Sequence, residues 1–195
     1  METEKLIKVV EALGKDVFEG HNINQLARLS GVNVATMHRM LKEMEKENLV
    51  LKKISGNNVF YRPNLRNSAM LKYCELSSIE RRKKFLLKHP GFYGKIKNLE
   101  DKTECAVLFG SFARNEKRPA DIDILLLSGR EMNVKLLERE MRKSDISPLY
   151  MEFPEFVEKL KKKNKVLLEI MRDGVVLFRE SRYWELLKRA LDEQV

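Results

Sequence analysis

Two short groups of residues in the second half of the sequence contain the residue types that bind phosphate and metal ions. The first is Gly110-Ser111, which follows an apolar run, and the second is Asp121-Ile122-Asp123. A Gly-Ser pair between a strand and a helix offers backbone N–H groups and a hydroxyl to an anion, and glycine lets a phosphate approach the backbone closely. Asp121 and Asp123 are two residues apart on a predicted strand, so both carboxylates should point to one face, about 7 Å apart at their Cα atoms.

Paired carboxylates beside a phosphate site are how proteins hold Mg²⁺ for in-line phosphoryl or nucleotidyl transfer. Arg114, Lys117 and Arg118 lie between the two groups, and their positive charges are suited to neutralising a triphosphate. The alternative is that Asp121 and Asp123 are exposed carboxylates on an edge strand and bind nothing. The Gly-Ser pair upstream favours a site for an NTP and Mg²⁺.

Short strands and helices alternate after residue 104 and would position these residues. Strands are predicted at residues 105–109, 121–127, 146–152 and 175–178, and helices at residues 133–143, 154–162, 165–172 and 182–191. Alternation of this kind favours a sheet covered by helices.

The whole string resembles the signature of the polymerase beta-type nucleotidyltransferases: Gly-Ser, an Ala-Arg shortly after, and Asp-x-Asp on the next strand. The likeness covers roughly residues 99–195 and extends to the minimal members, including antitoxins that transfer AMP to a partner toxin. It implies that Gly110 and Ser111 bind the phosphates of a nucleotide. It also implies that Asp121 and Asp123 are catalytic and hold the metal ions. Arg114 is the third predicted nucleotide-binding residue.

The chain departs from this signature at two positions. Asn115 stands where the family usually has glycine, although asparagine can also adopt a left-handed turn. A third carboxylate is expected on the following strand, and the best-matched residue there is Ser147. Asp145 would share the face of Ser147 on a regular strand, whereas Glu152 would face the other way. Without the third acid, a hydroxyl nucleophile loses its base and one metal ion loses a ligand.

The N-terminal pattern predicts a winged helix-turn-helix. Helices are predicted at residues 2–15, 23–30 and 35–48, and strands at residues 49–54 and 59–61. The stretch from Ile23 to Arg62 resembles winged helix-turn-helix repressors, so its third helix is expected to contact duplex DNA. The predicted DNA-binding residues on the outer face of that helix are Asn33, Thr36, His38, Arg39 and Lys42. The alternative is a three-helix module that binds protein.

The segment between these two parts is predicted to be helical at residues 65–73 and 78–88. Its second helix carries the basic cluster Arg81-Arg82-Lys83-Lys84. We interpret this cluster as a solvated face. A phosphate contact is the alternative.

The net charge of +9 is concentrated in the first half of the chain. Residues 1–103 carry 20 basic and 12 acidic side chains, against 18 and 17 in residues 104–195. This asymmetry favours a polyanionic partner for the N-terminal half.

Cys74 and Cys105 are the only cysteines and are interpreted as packed or half-exposed thiols. No apolar run approaches the roughly 20 residues needed to cross a bilayer, so a cytoplasmic protein without membrane contact is expected.

The sequence therefore predicts an α+β protein in three parts. These are a winged helix-turn-helix DNA-binding domain at residues 1–66, a helical connector at residues 67–98, and a nucleotidyltransferase-like domain with a mixed sheet and flanking helices at residues 99–195. The predicted activity is Mg²⁺-dependent transfer of a nucleoside monophosphate from an NTP to a hydroxyl on a protein or small molecule, coupled to DNA binding. The alternative is a transcriptional regulator whose nucleotidyltransferase-like domain is catalytically degenerate and senses nucleotide or forms a homodimer.

Overall fold

The computed structural model describes residues 2–114, 121–129, 137–138, 141 and 145–192. It divides into two compact units, Met1–Ser78 and Ile79–Val195. Among the described residues, no helix has the length and apolar character needed to cross a bilayer.

The first unit contains three complete helices, the first part of a fourth, and a small antiparallel sheet. The helices are α1 (Thr3–Leu13), α2 (Ile23–Ser30) and α3 (Val34–Lys46), and the strands are β1 (His21–Asn22), β2 (Val50–Ser55) and β3 (Asn58–Pro63). The sheet order is β1-β3-β2. This is the element order of a winged helix, as predicted. The two-residue strand β1 was not predicted, because a run this short leaves no alternation to recognise.

Local sequence fixes the helix-turn-helix. Asn22 and Gln25 form a reciprocal capping box at the start of α2, and Gly31 ends α2 in a left-handed conformation with φ of 69°. Asn33 then caps α3, because its side-chain oxygen accepts a hydrogen bond of 2.8 Å from the backbone N–H of Thr36. Caps of this kind contribute about 1 kcal/mol each. Together these residues fix the change of direction between α2 and α3 within residues 31–33.

A single helix follows the wing. α4 runs from Ser68 to Lys88 without interruption, whereas the sequence predicted two helices separated near residues 74–77. The Ser77 hydroxyl donates a hydrogen bond of 2.8 Å to the backbone oxygen of Cys74, so this serine is accommodated inside the helix instead of capping a new one. The boundary between the two compact units falls within α4, and the predicted connector is therefore divided between them.

The second unit is built on a mixed sheet of four strands in the order β6-β5-β4-β7. Its strands are β4 (Cys105–Phe109), β5 (Ile122–Ser128), β6 (Ile146–Glu152) and β7 (Val175–Phe178). β4 is antiparallel to β5 and β7, and β5 is parallel to β6. Its helices within the described residues include, besides the last part of α4, α5 (Phe92–Ile96), α6 (Gly110–Ala113), α7 (Phe153–Lys161), α8 (Lys165–Asp173) and α9 (Glu180–Asp192). The predicted mixed sheet with flanking helices is confirmed.

Helices bury the sheet, and this explains its composition. Alternation of polar and apolar side chains is absent from the centre of β5, where Ile124, Leu125, Leu126 and Leu127 are all fully buried, as in strands that are covered on both faces. One face packs in an apolar cluster with Phe85 and residues of α5. The predicted helix at residues 133–143 lies largely outside the described residues, as do Asn115, Lys117 and Arg118.

Candidate functional site

Gly110 and Asp123 are brought into contact by neighbouring strands. β4 ends at Phe109, which lies opposite Asp123 in β5. Gly110 follows with φ of 74°, in the left-handed region that favours glycine. A Cβ on residue 110 would overlap the Oδ2 atom of Asp123. The carboxylate therefore lies directly against the backbone of the Gly-Ser turn, with the half-buried Ser111 as the next residue.

Asp121 and Asp123 are close enough to influence each other. Burial raises the pKa of the Asp123 carboxyl, the charge of Asp121 raises that pKa further, and Arg114 lowers it. Asp123 is half-buried, whereas Asp121 is exposed and precedes the first residue of β5. β5 is an inner strand of the sheet, so the expected edge-strand position is wrong. β5 also begins at Ile122, one residue later than predicted, and Asp121 therefore lies just outside the strand. Because the two carboxylates repel each other, a cation bound near both would reduce their electrostatic repulsion.

Arg114 follows the Gly-Ser turn by one helical turn and forms an ion pair with α8. Its Nη1 atom lies 2.6 Å from the Oε1 atom of Glu169. The two side chains are 37% and 51% exposed, and ion pairs at such exposure stabilise a protein by only about 0.2–1 kcal/mol. A polyphosphate beside Gly110 could therefore displace Glu169 from Arg114 at little cost.

Ser147 lies at the register position expected for a third acid. It is directly opposite Asp123 in the parallel pair of β5 and β6, and it is exposed. Opposite residues in paired strands share a face of the sheet. The chain thus places a hydroxyl beside Asp123 on the neighbouring strand, at the position that the sequence pattern indicated.

Asp145 is placed differently from the prediction. β6 begins at Ile146, and Asp145 precedes it with φ of 56°, so strand alternation does not extend to this residue. The strand is therefore not regular at residue 145, and the condition under which Asp145 would share the face of Ser147 is not met. Its backbone oxygen instead accepts a hydrogen bond of 3.2 Å from the N–H of Ile122, which holds Asp145 beside the start of β5.

A cleft of about 390 Å³ opens next to Asp121 and was not predicted. Asp145 lines it on one side, and residues from the end of α4, from α5 and from the Gly-Ser turn line the remainder, among them His89, Lys95 and Phe112. These residues are distant in sequence and share no periodic pattern. Only the position of Phe112, two residues after Gly110, could have suggested that it borders the site.

Two arginines of the basic cluster at residues 81–84 have structural roles. Arg81 donates hydrogen bonds to the backbone oxygens of Arg172 and Asp173 at the end of α8. Arg82 donates to the oxygen of Leu177 and pairs with Glu180 at 2.7 Å. Carbonyls at a helix end have no partner within the helix, so the Arg81 guanidinium satisfies those of α8. The interpretation of Arg81 and Arg82 as part of a solvated face is wrong.

The predicted DNA-binding residues of α3 lie largely on its outer face. His38, Arg39 and Lys42 are exposed, and Thr36 is half-buried. Asn33 is exposed, and its side-chain oxygen accepts the hydrogen bond of the helix cap, while its amide N–H groups can donate to a partner. The inner face is formed by Met37, Met40, Leu41 and Met44. The basic side chains thus point away from the core of the unit.

The two cysteines are fully buried. Burial raises the pKa of both thiols well above the usual range, which keeps them protonated and unreactive. The interpretation of Cys74 and Cys105 as packed thiols is confirmed. Among the described residues, no group of three or more His, Cys, Asp or Glu side chains could hold a metal ion.

Comparisons with known families agree with both halves of this description. Residues 94–183 match the family described as polymerase beta, nucleotidyltransferase, and residues 16–58 match the MarR family. No curated protein and no solved structure shows significant similarity to the chain. The first match contains the Gly-Ser turn and both aspartates, and the second contains α2, α3 and β2. The chain therefore joins a winged helix-turn-helix domain of MarR type to a nucleotidyltransferase-type domain of the polymerase beta superfamily.

Proposed function

We propose that the second unit is a Mg²⁺-dependent nucleotidyltransferase and that the first unit binds duplex DNA. The observation that carries the transfer function is the contact between the Gly-Ser turn and Asp123 across β4 and β5. This contact supports the proposal, because it brings a turn of the kind that can bind an anion close to a carboxylate. The match of residues 94–183 to the nucleotidyltransferase family supports the same assignment.

The residues present are suited to a divalent cation. Asp121 and Asp123 repel each other, and Mg²⁺ prefers carboxylate oxygens combined with phosphate oxygens and water. Asp121 and Asp123 would hold the ion, and Ser147 lies opposite Asp123 on β6. When bound, Mg²⁺ would neutralise charge on the triphosphate.

The reaction exchanges one bond at the α-phosphorus for another. The acceptor oxygen bonds to the α-phosphorus, the bond to the bridging oxygen of the pyrophosphate breaks, and pyrophosphate leaves with the electron pair. The hydroxyl proton passes to water or to a carboxylate at the site. In this proposal Gly110 and Ser111 hold the phosphates through backbone N–H groups and a hydroxyl, and Arg114 leaves Glu169 to balance their charge.

Incubation with labelled NTPs tests the transfer function. The full chain would be mixed with α-labelled ATP, GTP, CTP or UTP, Mg²⁺ and a cell extract, and label on protein and on small molecules would be measured. Transfer of label that needs Mg²⁺ and is lost in Asp121→Asn is the expected result. If Mg²⁺-linked NTP binding occurs without any transfer, the domain is a nucleotide sensor, which is the regulator alternative.

The Ser147 position gives a separate prediction. Ser147→Asp should increase the rate of transfer by about tenfold or more, because it adds a carboxylate opposite Asp123, where a base or metal ligand is expected. Initial rates of label transfer would be compared for wild type, Ser147→Asp and Ser147→Asn. The asparagine variant has nearly the same shape as the aspartate variant but no charge, so its rate of label transfer should not increase. An equal gain in both variants would show that the charge at this position is irrelevant.

The winged helix gives a prediction about DNA. Arg39→Ala with Lys42→Ala should weaken duplex binding, and the loss should be larger at low salt, because both exposed side chains are expected to neutralise phosphates. The logarithm of the binding constant decreases linearly with the logarithm of the salt concentration, and the magnitude of this negative slope should decrease by about 2. Gel-shift titrations at several salt concentrations would measure it.

A matched control exists within the same unit. Lys8 and Lys72 lie outside α3, their side chains are 40% and 71% exposed, and each is bonded to a nearby glutamate. Lys8→Ala with Lys72→Ala removes the same formal charge and should change duplex binding much less. If both double variants behave alike, or neither changes binding, the winged helix is a protein-contact module.

A further inference from the structure

A groove in the first unit lies between the start of α1 and one side of α3. We call it the α1–α3 groove, and its lining residues are Glu2, Lys5, Thr36, Arg39, Met40 and Glu43. The residues from α3 share one side of that helix, because their spacing follows the helical repeat. Thr36 and Arg39 are also predicted DNA-binding residues, so the groove continues the proposed DNA surface towards α1.

The volume of the α1–α3 groove limits the group that it can accept. It is about 180 Å³, which is below the range of roughly 300–1,000 Å³ that is usual for small-molecule sites. A nucleotide or a drug-sized effector would therefore be only partly enclosed. A single phosphate group is small enough to enter, and its oxygens accept hydrogen bonds from lysine, arginine and hydroxyl donors.

Donors reach the α1–α3 groove from both helices. Lys5 contributes an ammonium group from α1, and Arg39 contributes a guanidinium from α3. Arg39 is exposed and, among the described residues, pairs with no acid. The backbone N–H of Thr36 is used in the cap of α3, but its hydroxyl is not part of that cap and can donate to an anion. Two cations and a hydroxyl that meet in one groove are suited to a phosphate.

Two acids oppose an anion at this groove, and one of them is paired with Lys5. The Nζ atom of Lys5 lies 2.9 Å from the Oε2 atom of Glu2, and the two side chains are 49% and 72% exposed. Ion pairs at such exposure contribute little, so a phosphate oxygen can replace the Glu2 carboxylate. The hydrogen bond and the charge of Lys5 lower the pKa of Glu2, so Glu2 stays ionised and competes for Lys5. Glu43 is the second acid.

We infer that the α1–α3 groove holds one backbone phosphate of the bound duplex, an inference that rests on the proposed DNA binding by the first unit. Lys5 exchanges Glu2 for the phosphate, Arg39 pairs with the same phosphate, and the Thr36 hydroxyl donates to it. Phosphate contacts fix the register of a protein on DNA but do not read its bases. Arg39 is therefore assigned to the DNA backbone, and α1 becomes part of the DNA surface.

A substitution of Lys5 tests this contact on a duplex of mixed sequence, because a phosphate contact does not depend on the bases. Lys5→Ala should weaken binding, and the magnitude of the negative slope of log binding constant against log salt concentration should decrease by about 1. Lys8→Ala is the matched control, since Lys8 also belongs to α1 and pairs with Glu4 at 2.7 Å but does not line the groove. Gel-shift titrations at several salt concentrations would compare the two. Equal changes in both variants would overturn the inference.

Glu2→Gln should have the opposite effect. It should strengthen duplex binding at low salt by up to about fivefold, the factor that corresponds to an exposed ion pair, whereas Glu4→Gln should strengthen it less. In a Lys5→Ala background the gain from Glu2→Gln should be smaller, because no lysine remains to be released. An undiminished gain in that background would show that Glu2 does not act through Lys5 and would contradict the exchange.

Comparison with the variants of α3 separates this inference from DNA binding itself. Thermal unfolding would first verify that each variant remains folded, which is expected because Glu2 and Lys5 are exposed. If Arg39→Ala with Lys42→Ala weakens duplex binding and folded Lys5→Ala does not, the phosphate site fails and DNA binding by the first unit stands. If none of these substitutions changes binding, the proposed DNA binding fails and the phosphate site fails with it.

Discussion

Gly110→Ala is expected to lower the free energy of unfolding of the second unit by about 1–3 kcal/mol and to weaken NTP binding. The residue has φ of 74°, which is costly for alanine. The new Cβ would also overlap the Oδ2 atom of Asp123. Either the turn or the carboxylate must then move, and both are proposed parts of the nucleotide site. Denaturant unfolding and calorimetric NTP titration would measure the two effects.

A double-mutant cycle separates the two causes of this loss. In an Asp123→Ala background the overlap is removed and only the backbone strain remains, so Gly110→Ala should cost less than in wild type. Gly94 in α5 is the matched control, because a Cβ there would meet no atom within 4 Å. Gly94→Ala should be neutral or slightly stabilising. An equal cost of Gly110→Ala in both backgrounds would show that contact with Asp123 does not matter.

Asp121→Asn combined with Asp123→Asn is expected to abolish the Mg²⁺ dependence of NTP binding. In wild type we expect NTP to bind at least about tenfold more tightly with Mg²⁺, because two carboxylates repel a polyphosphate and a cation reverses that interaction. The amide variants keep the shape and lose the charge. Burial and Asp121 already raise the pKa of Asp123, so ionised Asp123 is disfavoured in the folded state and its neutral replacement should not lower the melting temperature.

The control for this prediction removes the same charge elsewhere in the unit. Asp101 and Glu152 are exposed acids, and Asp101→Asn with Glu152→Gln should leave the Mg²⁺ dependence unchanged. Calorimetric titration of ATP into each protein, with and without Mg²⁺, makes the comparison. If wild type shows no Mg²⁺-linked binding at millimolar NTP, the nucleotidyltransferase proposal fails and only the architecture is shared.

Much of the fold could be predicted because its strands are short and clearly bounded. β4, β6 and β7 begin and end where the apolar runs at residues 105–109, 146–152 and 175–178 predicted them. Asn48 follows α3 with φ of 55°, a left-handed conformation that asparagine adopts more readily than most residues. These features are local, since a turn residue or a change in polarity marks each boundary.

The features that were not predicted depend on contacts between distant segments. The sequence predicted Gly110 just after one strand and Asp123 on the next, but their contact follows from the register of β4 against β5. The cleft combines residues from before and after the Gly-Ser turn. The roles of Arg81 and Arg82 depend on carbonyls about 90 residues away, which no local pattern reveals.

The contact between Gly110 and Asp123 also has a consequence for how this domain would change over evolutionary time. Glycine at position 110 is required by the backbone conformation and by the neighbouring carboxylate, whether or not a nucleotide is ever transferred. A descendant that lost transfer would therefore retain glycine for as long as it retained the fold. Asp121 is exposed and lies outside the strand, so its replacement costs little stability. For the proposed transferase, position 121, and not position 110, is where we expect a loss of catalysis to appear first in relatives.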